Sequence, residues 1–172
     1  DLNSCGEFAA WVDARRELSR LVILGDLFDA WVGPGHAQME GAKRVIEALR
    51  GVAERGGSVD LLWGNRDFLL DEAVAREAGA SLRRDSLVAV NEEGERTLFV
   101  HGDELCTLDT SYQRLRRVLR SRIVTGSLLM LPISVTLWLA KRLRSESKRA
   151  VGSKPPEEMA MQEDVVLDLS RL

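Results

Sequence analysis

The stretch Leu21–Gly33, LVILGDLFDAWVG, decides the fold. Four aliphatic residues, Leu21 to Leu24, run straight into Gly25-Asp26, and such a run reads as a strand buried on both faces of a sheet. Asp26 then stands at the C-terminal end of a core strand, the edge where open α/β sheets place their ligands. Two later stretches repeat the plan. Ser58–Trp63 (SVDLLW) leads into Gly64-Asn65-Arg66-Asp67, and Arg96–Val100 (RTLFV) leads into His101-Gly102-Asp103. Three apolar runs thus stop at glycine-bearing turns that offer Asp, then Asn, then His, a combination hard to explain without a metal site.

Between these runs the pattern alternates. Residues Asp1–Asn3 read as a loop and Glu7–Leu18 as an amphipathic helix, with Phe8, Trp11, Val12 and Leu18 as its apolar positions. Phe28–Gly35 is turn-like, punctuated by Gly33-Pro34-Gly35. The spacing of Val45, Ile46, Leu49 and Val52 predicts a helix over Ala37–Arg55, ended by Gly56-Gly57. A short helix is expected over Leu70–Ala78, stopped by Gly79. Ser81–Val90 reads as one strand, joined through Asn91–Gly94 to the next as a hairpin. Alternating strands and helices predict an α/β sheet.

The chain has 172 residues, 45% hydrophobic and 30% charged, enough for one sizeable core. Its net charge of -3 hides an asymmetry. Gln113–Lys154 carries eleven Arg and Lys against Glu146 alone, a net of +10, which leaves -13 for the rest. A basic segment on an acidic body suggests an anionic partner: membrane surface, phosphorylated substrate or nucleic acid. Cys5 and Cys106 lie in no CxxC spacing, which argues against a disulfide framework or zinc knuckle and fits a reducing cytosol. The sequence opens at Asp1 without a methionine, so the want of a leader carries no weight.

From Tyr112 the composition changes. An arginine-rich helix over Gln113–Arg122 runs into the 17 apolar-rich residues Val124–Ala140, interrupted by Pro132, and then into Lys141-Arg142-Leu143-Arg144. Seventeen residues are the lower limit for crossing a bilayer, and the proline breaks them. Two helices that dip an apolar hairpin into a membrane interface, or cover an acyl chain, fit this pattern better than a span. Glu157–Leu172 reads as a closing helix. The expected layout is a core over 1–112, a basic and apolar helical insert over 113–154, and a return to the core over 155–172.

Carboxylate, amide oxygen and imidazole together suit borderline-hard divalent ions rather than a thiolate zinc site. Two such ions can hold a hydroxide at neutral pH while clamping phosphate oxygens. Taken singly, Asp26 reads as well as a cap or turn aspartate, Asn65 as a turn former, and His101 as a hydrogen-bonded histidine. Jointly, the three strand ends favour metal. Arg66 could pair structurally with Asp67, Asp103 and Asp109 could be caps, and Tyr112 could be core.

The motifs GDLFDAW, GNRDF and HGDELC, in that order, resemble the calcineurin-like metallophosphoesterases, and more narrowly the UDP-2,3-diacylglucosamine pyrophosphohydrolases of lipid A biosynthesis. Arg66 where the superfamily has histidine, followed by Asp67-Phe68-Leu69-Leu70, points to the narrower group. The resemblance implies a two-sheet sandwich flanked by helices, with Gln113–Lys154 as a helical cap over the acyl chains. It implies two divalent ions, Mn²⁺ foremost, with Asp26 bridging both and Asn65 and His101 as ligands of the second. Asn65, Arg66 and His101 are then the catalytic candidates. Arg66 would contact the diphosphate, while Asp109, Tyr112, Ser147 and Lys154 would line the lipid-sugar side, with Asn65 also touching substrate. The implied reaction is attack of water on the α-phosphorus of UDP-2,3-diacylglucosamine, giving UMP and 2,3-diacylglucosamine 1-phosphate, in the cytoplasm at the inner membrane.

The family's Asp-x-His and Gly-His-x-His motifs are not in this sequence: Asp1-Leu2-Asn3 has asparagine where histidine belongs, His36 lies in the wrong context, and Val151 replaces a cap asparagine. An internal fragment of a longer enzyme is therefore expected. The competing readings are another calcineurin-like phosphodiesterase, and a metal-deficient homologue that binds membrane through its basic helices. Nucleic acid is the weaker partner, since only Trp138 offers base stacking there.

Overall fold

The computed structural model describes residues 2–91 and 93–169. Its elements alternate as the pattern of the first hundred residues requires. Helix α1 (Leu2–Asp13) precedes strand β1 (Arg20–Ile23), helix α2 (Glu40–Glu54) leads to β2 (Ser58–Leu62), and α3 (Glu72–Glu77) leads to β3 (Ala80–Arg83). The three strands form a parallel sheet in the order β1-β2-β3, with Leu21 opposite Val59 and Val59 opposite Ala80. Parallel pairing follows from the chain returning through a helix after each strand.

Helix α2 shows why the sequence folds this way. Ala42, Val45, Ile46, Leu49 and Val52 recur at three- and four-residue spacing and are all buried, packed against Val12 of α1 and Val59 and Leu61 of β2. Val45, Ile46, Leu49 and Val52 contribute about 1.5–3 kcal/mol of apolar burial each. The helix stops at Arg55, where Gly56 takes a left-handed φ of 87° that a side chain would disfavour. Helix α3 is started by Asp71, whose carboxylate accepts from the amides of Ala73 and Val74.

Strands β4 (Ser86–Val90) and β5 (Arg96–Val100) make a separate antiparallel pair, with Leu87 opposite Phe99. The hairpin turn is held by the Asn91 side chain, which accepts from the amides of Glu93 and Glu95. Helices α4 (Thr110–Leu119), α5 (Arg122–Leu129) and α6 (Ile133–Ser153) follow, and then the short α7 (Pro156–Met159) and α8 (Glu163–Leu169). Leu128 packs against the core cluster, and the Leu129 and Ile133 side chains lie against Gly33 and Gly35. No helix among the described residues is long and apolar enough to cross a membrane.

Several expectations are corrected. Leu2 and Asn3 are the start of α1, not a loop; Asp1 lies outside the described residues. Residues 34–38 form a 3-10 turn, so α2 begins at Glu40 rather than Ala37. The span Ser81–Val90 is two strands in two sheets, separated by a bend at Arg84-Asp85 where the chain changes sheet. Strand β1 is not fully buried: among the described residues it is the edge strand of its sheet, and its apolar residues are half-buried. The fully buried strand is β2, whose Val59–Leu62 lie between two neighbours. Glu157–Leu172 is not one helix. The chain breaks at Ala160-Met161, where the amide of Gln162 donates to the Leu105 carbonyl, and residues 170–172 lie outside the described part.

Candidate metal centre at the strand ends

The turns after β1, β2 and β5 meet, and glycine makes the meeting possible. A Cβ on Gly25 would lie 2.6 Å from the Cα and N of Gly64, and one on Gly64 would lie 2.2 Å from the Asp26 amide nitrogen. Either methyl would wedge the first two turns apart. Gly25 also has φ 87°, and Asp26 itself has φ 53°, a left-handed conformation rare for a residue with a side chain. Strain of this kind costs about 1–3 kcal/mol and gathers where function requires it. No helix follows Asp26 directly, so it caps nothing.

Asp67 is the internal brace of this junction. It is fully buried, and its two oxygens accept from the amides of Leu27 and Gly64, both at 2.8 Å. One carboxylate thereby ties the first turn to the second. Burial pushes its carboxyl above the usual range, with the nearby Asp26 charge adding to the rise and the Gly64 and Leu27 amides opposing it.

Asp26 Oδ1 accepts from the amide of Arg66 at 3.0 Å, and Oδ2 lies 3.3 Å from Arg66 Nε. Arg66 also reaches Asp29 at 3.5 Å, and Arg144 of α6 reaches the same Asp29 oxygen at 3.1 Å. The sequence suggested Asp67 as the partner of Arg66; its partners are instead Asp26 and Asp29, because Asp67 is turned inward to the amides. Arg66 is 48% exposed, so these pairs contribute at most about 1 kcal/mol each and leave the guanidinium able to change partner.

His101 completes the cluster. Its Nδ1 lies 2.6 Å from the Leu24 carbonyl oxygen, which can only accept, so Nδ1 carries a proton and, in the neutral ring, Nε2 keeps the lone pair. That lone pair lies 3.8 Å from Asp26 Oδ1. Two ligands bound at about 2.1 Å to one cation stand roughly 3–4 Å apart, and a ligating imidazole typically donates its other N–H to a carbonyl, as here. Asn65 is exposed on the adjoining turn, and its side chain makes no hydrogen bond among the described residues. The Asp26 carboxylate and the His101 imidazole therefore stand at the spacing of two ligands of one cation, with the Asn65 turn adjoining. No group of three or more His, Cys, Asp and Glu side chains able to hold a metal occurs among the described residues, so donors for a second ion are not gathered there. His36 stands apart, stacked on Trp31.

The remaining candidates fall into one network, except for Ser147. Asp109 caps α4 by accepting from the Tyr112 amide, and Lys154 Nζ lies 2.6 Å from both its oxygens. The Tyr112 hydroxyl donates to Asp103 Oδ2 at 2.6 Å, and the same oxygen lies 2.9 Å from Arg116 Nε and 3.3 Å from Arg120 Nη2. Tyr112, Arg116 and Arg120 are four residues apart, one stripe of α4 laid on Asp103. Burial alone would raise the Asp103 carboxyl, but hydrogen bonds from Glu104 and Tyr112 and the Arg120 and Arg116 charges hold it down at about 2. Burial pushes Glu104 up, and Asp103 adds to the rise. Tyr112 is pushed up by burial and by Asp103. Ser147 is exposed on α6, outside these contacts.

Sequence reasoning missed Asp67, the Asp103 hub and the Asp29–Arg144 pair. It also did not show that Arg116, Arg120, Arg144, Arg149 and Lys154 of the basic segment have carboxylate partners within the chain. The four-residue spacing of Tyr112, Arg116 and Arg120, set against HGDE, was the signal available.

No family model matches the sequence. Curated proteins called UDP-2,3-diacylglucosamine hydrolase do. That of Pseudomonas putida is 39% identical over 151 residues, 87% of this chain and 62% of its own length. The Pseudomonas aeruginosa protein is 43% identical over 149 residues (86% and 61%), and that of Pseudomonas fluorescens 43% over 139 residues (81% and 55%). The chain thus spans about three fifths of the length of the curated relatives it matches, a share that fits the expected fragment. At 39–43% identity over more than four fifths of its own residues, this chain is a homologue of the UDP-2,3-diacylglucosamine hydrolases, the narrower group that its motifs resemble.

Proposed function

We propose that the whole protein hydrolyses the diphosphate of UDP-2,3-diacylglucosamine to UMP and 2,3-diacylglucosamine 1-phosphate, with divalent ions, Mn²⁺ foremost, held at the strand ends. The observation that carries this reading is the His101 imidazole, locked by Leu24 with its Nε2 lone pair facing Asp26 at the junction of three turns. Bound ions would supply a hydroxide at neutral pH and positive charge against the diphosphate oxygens. In this reading Asp26, Asn65 and His101 are the ligands, Asp26 the bridge between two ions, and the further donors lie outside the described residues.

The chain's own groups then divide the rest of the work. Arg66, weakly held by Asp26 and Asp29, would bind the diphosphate through its guanidinium fork. Lys154 and Asp109, paired through short contacts, present one donor and one acceptor face to the sugar, with Tyr112 beside them, and Ser147 of α6 is the further lipid-sugar candidate. Residues 113–154 act as a cap over the acyl chains and a contact with the inner membrane from the cytoplasmic side. Ile123 is 83% and Met130 87% exposed on that segment, beside the basic Arg114, Arg117 and Arg122. The described α/β body, with one parallel and one antiparallel sheet, is in this reading part of a calcineurin-like two-sheet sandwich.

The test is Mn²⁺-dependent UMP release from UDP-2,3-diacylglucosamine by the whole protein. Activity that disappears in Asp26→Ala and Asn65→Ala supports the reading. Hydrolysis confined to small generic phosphodiesters rejects it.

A further inference from the structure

Arg120 stands at the C-cap of α4 and reaches back into the core. Its Nη2 donates to the carbonyl oxygen of Gly64 at 3.0 Å and to Asp103 Oδ2 at 3.3 Å, and only 11% of its side chain is exposed. Gly64 immediately precedes Asn65, and Asp103 follows His101 by two residues. One guanidinium therefore spans the two turns that carry the amide and imidazole of the candidate metal centre. Gly64 is gripped from both sides: its N–H by Asp67 within the core, its C=O by Arg120 from the cap. A glycine has the widest backbone freedom of any residue, so an unheld Gly64–Asn65 peptide could rotate. Fixing the carbonyl fixes the plane of that peptide, and with it the base from which the Asn65 side chain departs.

We propose that Arg120 is a positioning residue for the cation: seating α4 on Asp103 sets the Asn65 turn relative to His101, so the docking of α4 and metal affinity are coupled. The proposal rests on the reading of Asp26, Asn65 and His101 as ligands. Groups that orient ligands from behind typically account for 10–100-fold in affinity.

The test compares wild type, Arg120→Gln, Arg120→Lys and the exposed-face control Arg117→Gln, all as the full chain. Two measurements are made: amide hydrogen exchange without metal, and titration with MnCl₂. In Arg120→Gln the Gly64 and Arg66 amides are expected to exchange about tenfold faster while those of β2 are unchanged, and Mn²⁺ to bind about tenfold more weakly. Arg120→Lys, which keeps the charge and a donor, recovers part of both, and Arg117→Gln alters neither. Unchanged Gly64 and Arg66 exchange, or acceleration in step with β2, overturns the clamp. A wild-type chain that takes up no Mn²⁺ overturns the cation reading and the coupling with it, while the exchange experiment still decides whether the clamp exists.

Discussion

Asp67→Asn isolates the brace on which the junction depends. The wild-type carboxylate accepts two amide hydrogens, from Leu27 and Gly64, in a site closed to water. A carboxamide of the same shape has one oxygen, so its NH₂ faces one of those N–H groups, donor against donor. The variant loses a hydrogen bond to a charged acceptor, worth about 1.5–3 kcal/mol, and leaves a buried N–H unsatisfied at a further cost of about 1 kcal/mol or more. A destabilisation of about 2–4 kcal/mol follows, large against the roughly 5–15 kcal/mol by which domains are held folded. Urea unfolding followed by tryptophan fluorescence should show the midpoint falling by about 1–2 M at unchanged slope. A variant within about 0.5 kcal/mol of wild type would mean that water or a rotated side chain satisfies these amides, and the bracing argument would fail.

Gly64→Ala puts a methyl where the Asp26 backbone stands, and a loss of about 1–3 kcal/mol in thermal or urea unfolding is expected; full stability would show that the turns are not in contact. Asp103 gives a pH dependence. Its carboxyl, held at about 2 against an ordinary 3.8, contributes stability that is complete above the ordinary value and lost as pH falls towards 2. Up to about 2 kcal/mol should disappear over that window, with the upward shift of Glu104 offsetting part, and Asp103→Asn should lack this acid limb; identical acid profiles would refute it. For the cap, Leu128 packs inward, so Ile123→Glu with Met130→Glu is the sharper perturbation. Binding to anionic liposomes should weaken severalfold with stability unchanged, and unaltered binding removes the membrane role.

Much of the fold was legible because its signals are local. The apolar runs before Gly25 and Gly64, and the stripe of α2, are written in consecutive residues, and β1, β2, β5 and α2 lie where they point. What escaped depends on neighbours distant in the chain. Whether Leu21–Ile23 sits at the edge or the centre of a sheet depends on what lies beside it, so β1 was read as more buried than it is. Ser81–Val90 keeps strand-forming residues throughout, and nothing local marks the change of sheet at Arg84-Asp85. At the site, residue types and strand-end positions pointed to Asp26, Asn65 and His101. Arg66 pairs with Asp26 and Asp29 across 40 and 37 residues, and Arg120 reaches Gly64 across 56, and no spacing rule reaches that far.

If Asp26, Asn65 and His101 form one cation pocket, paramagnetic broadening by substoichiometric Mn²⁺ reveals it. In two-dimensional NMR spectra of the chain, the Asn65 side-chain amide, the His101 ring protons and the Asp26 amide should vanish first and together, and should persist in His101→Ala. Broadening that starts elsewhere on the acidic surface and leaves the His101 ring sharp would contradict the account.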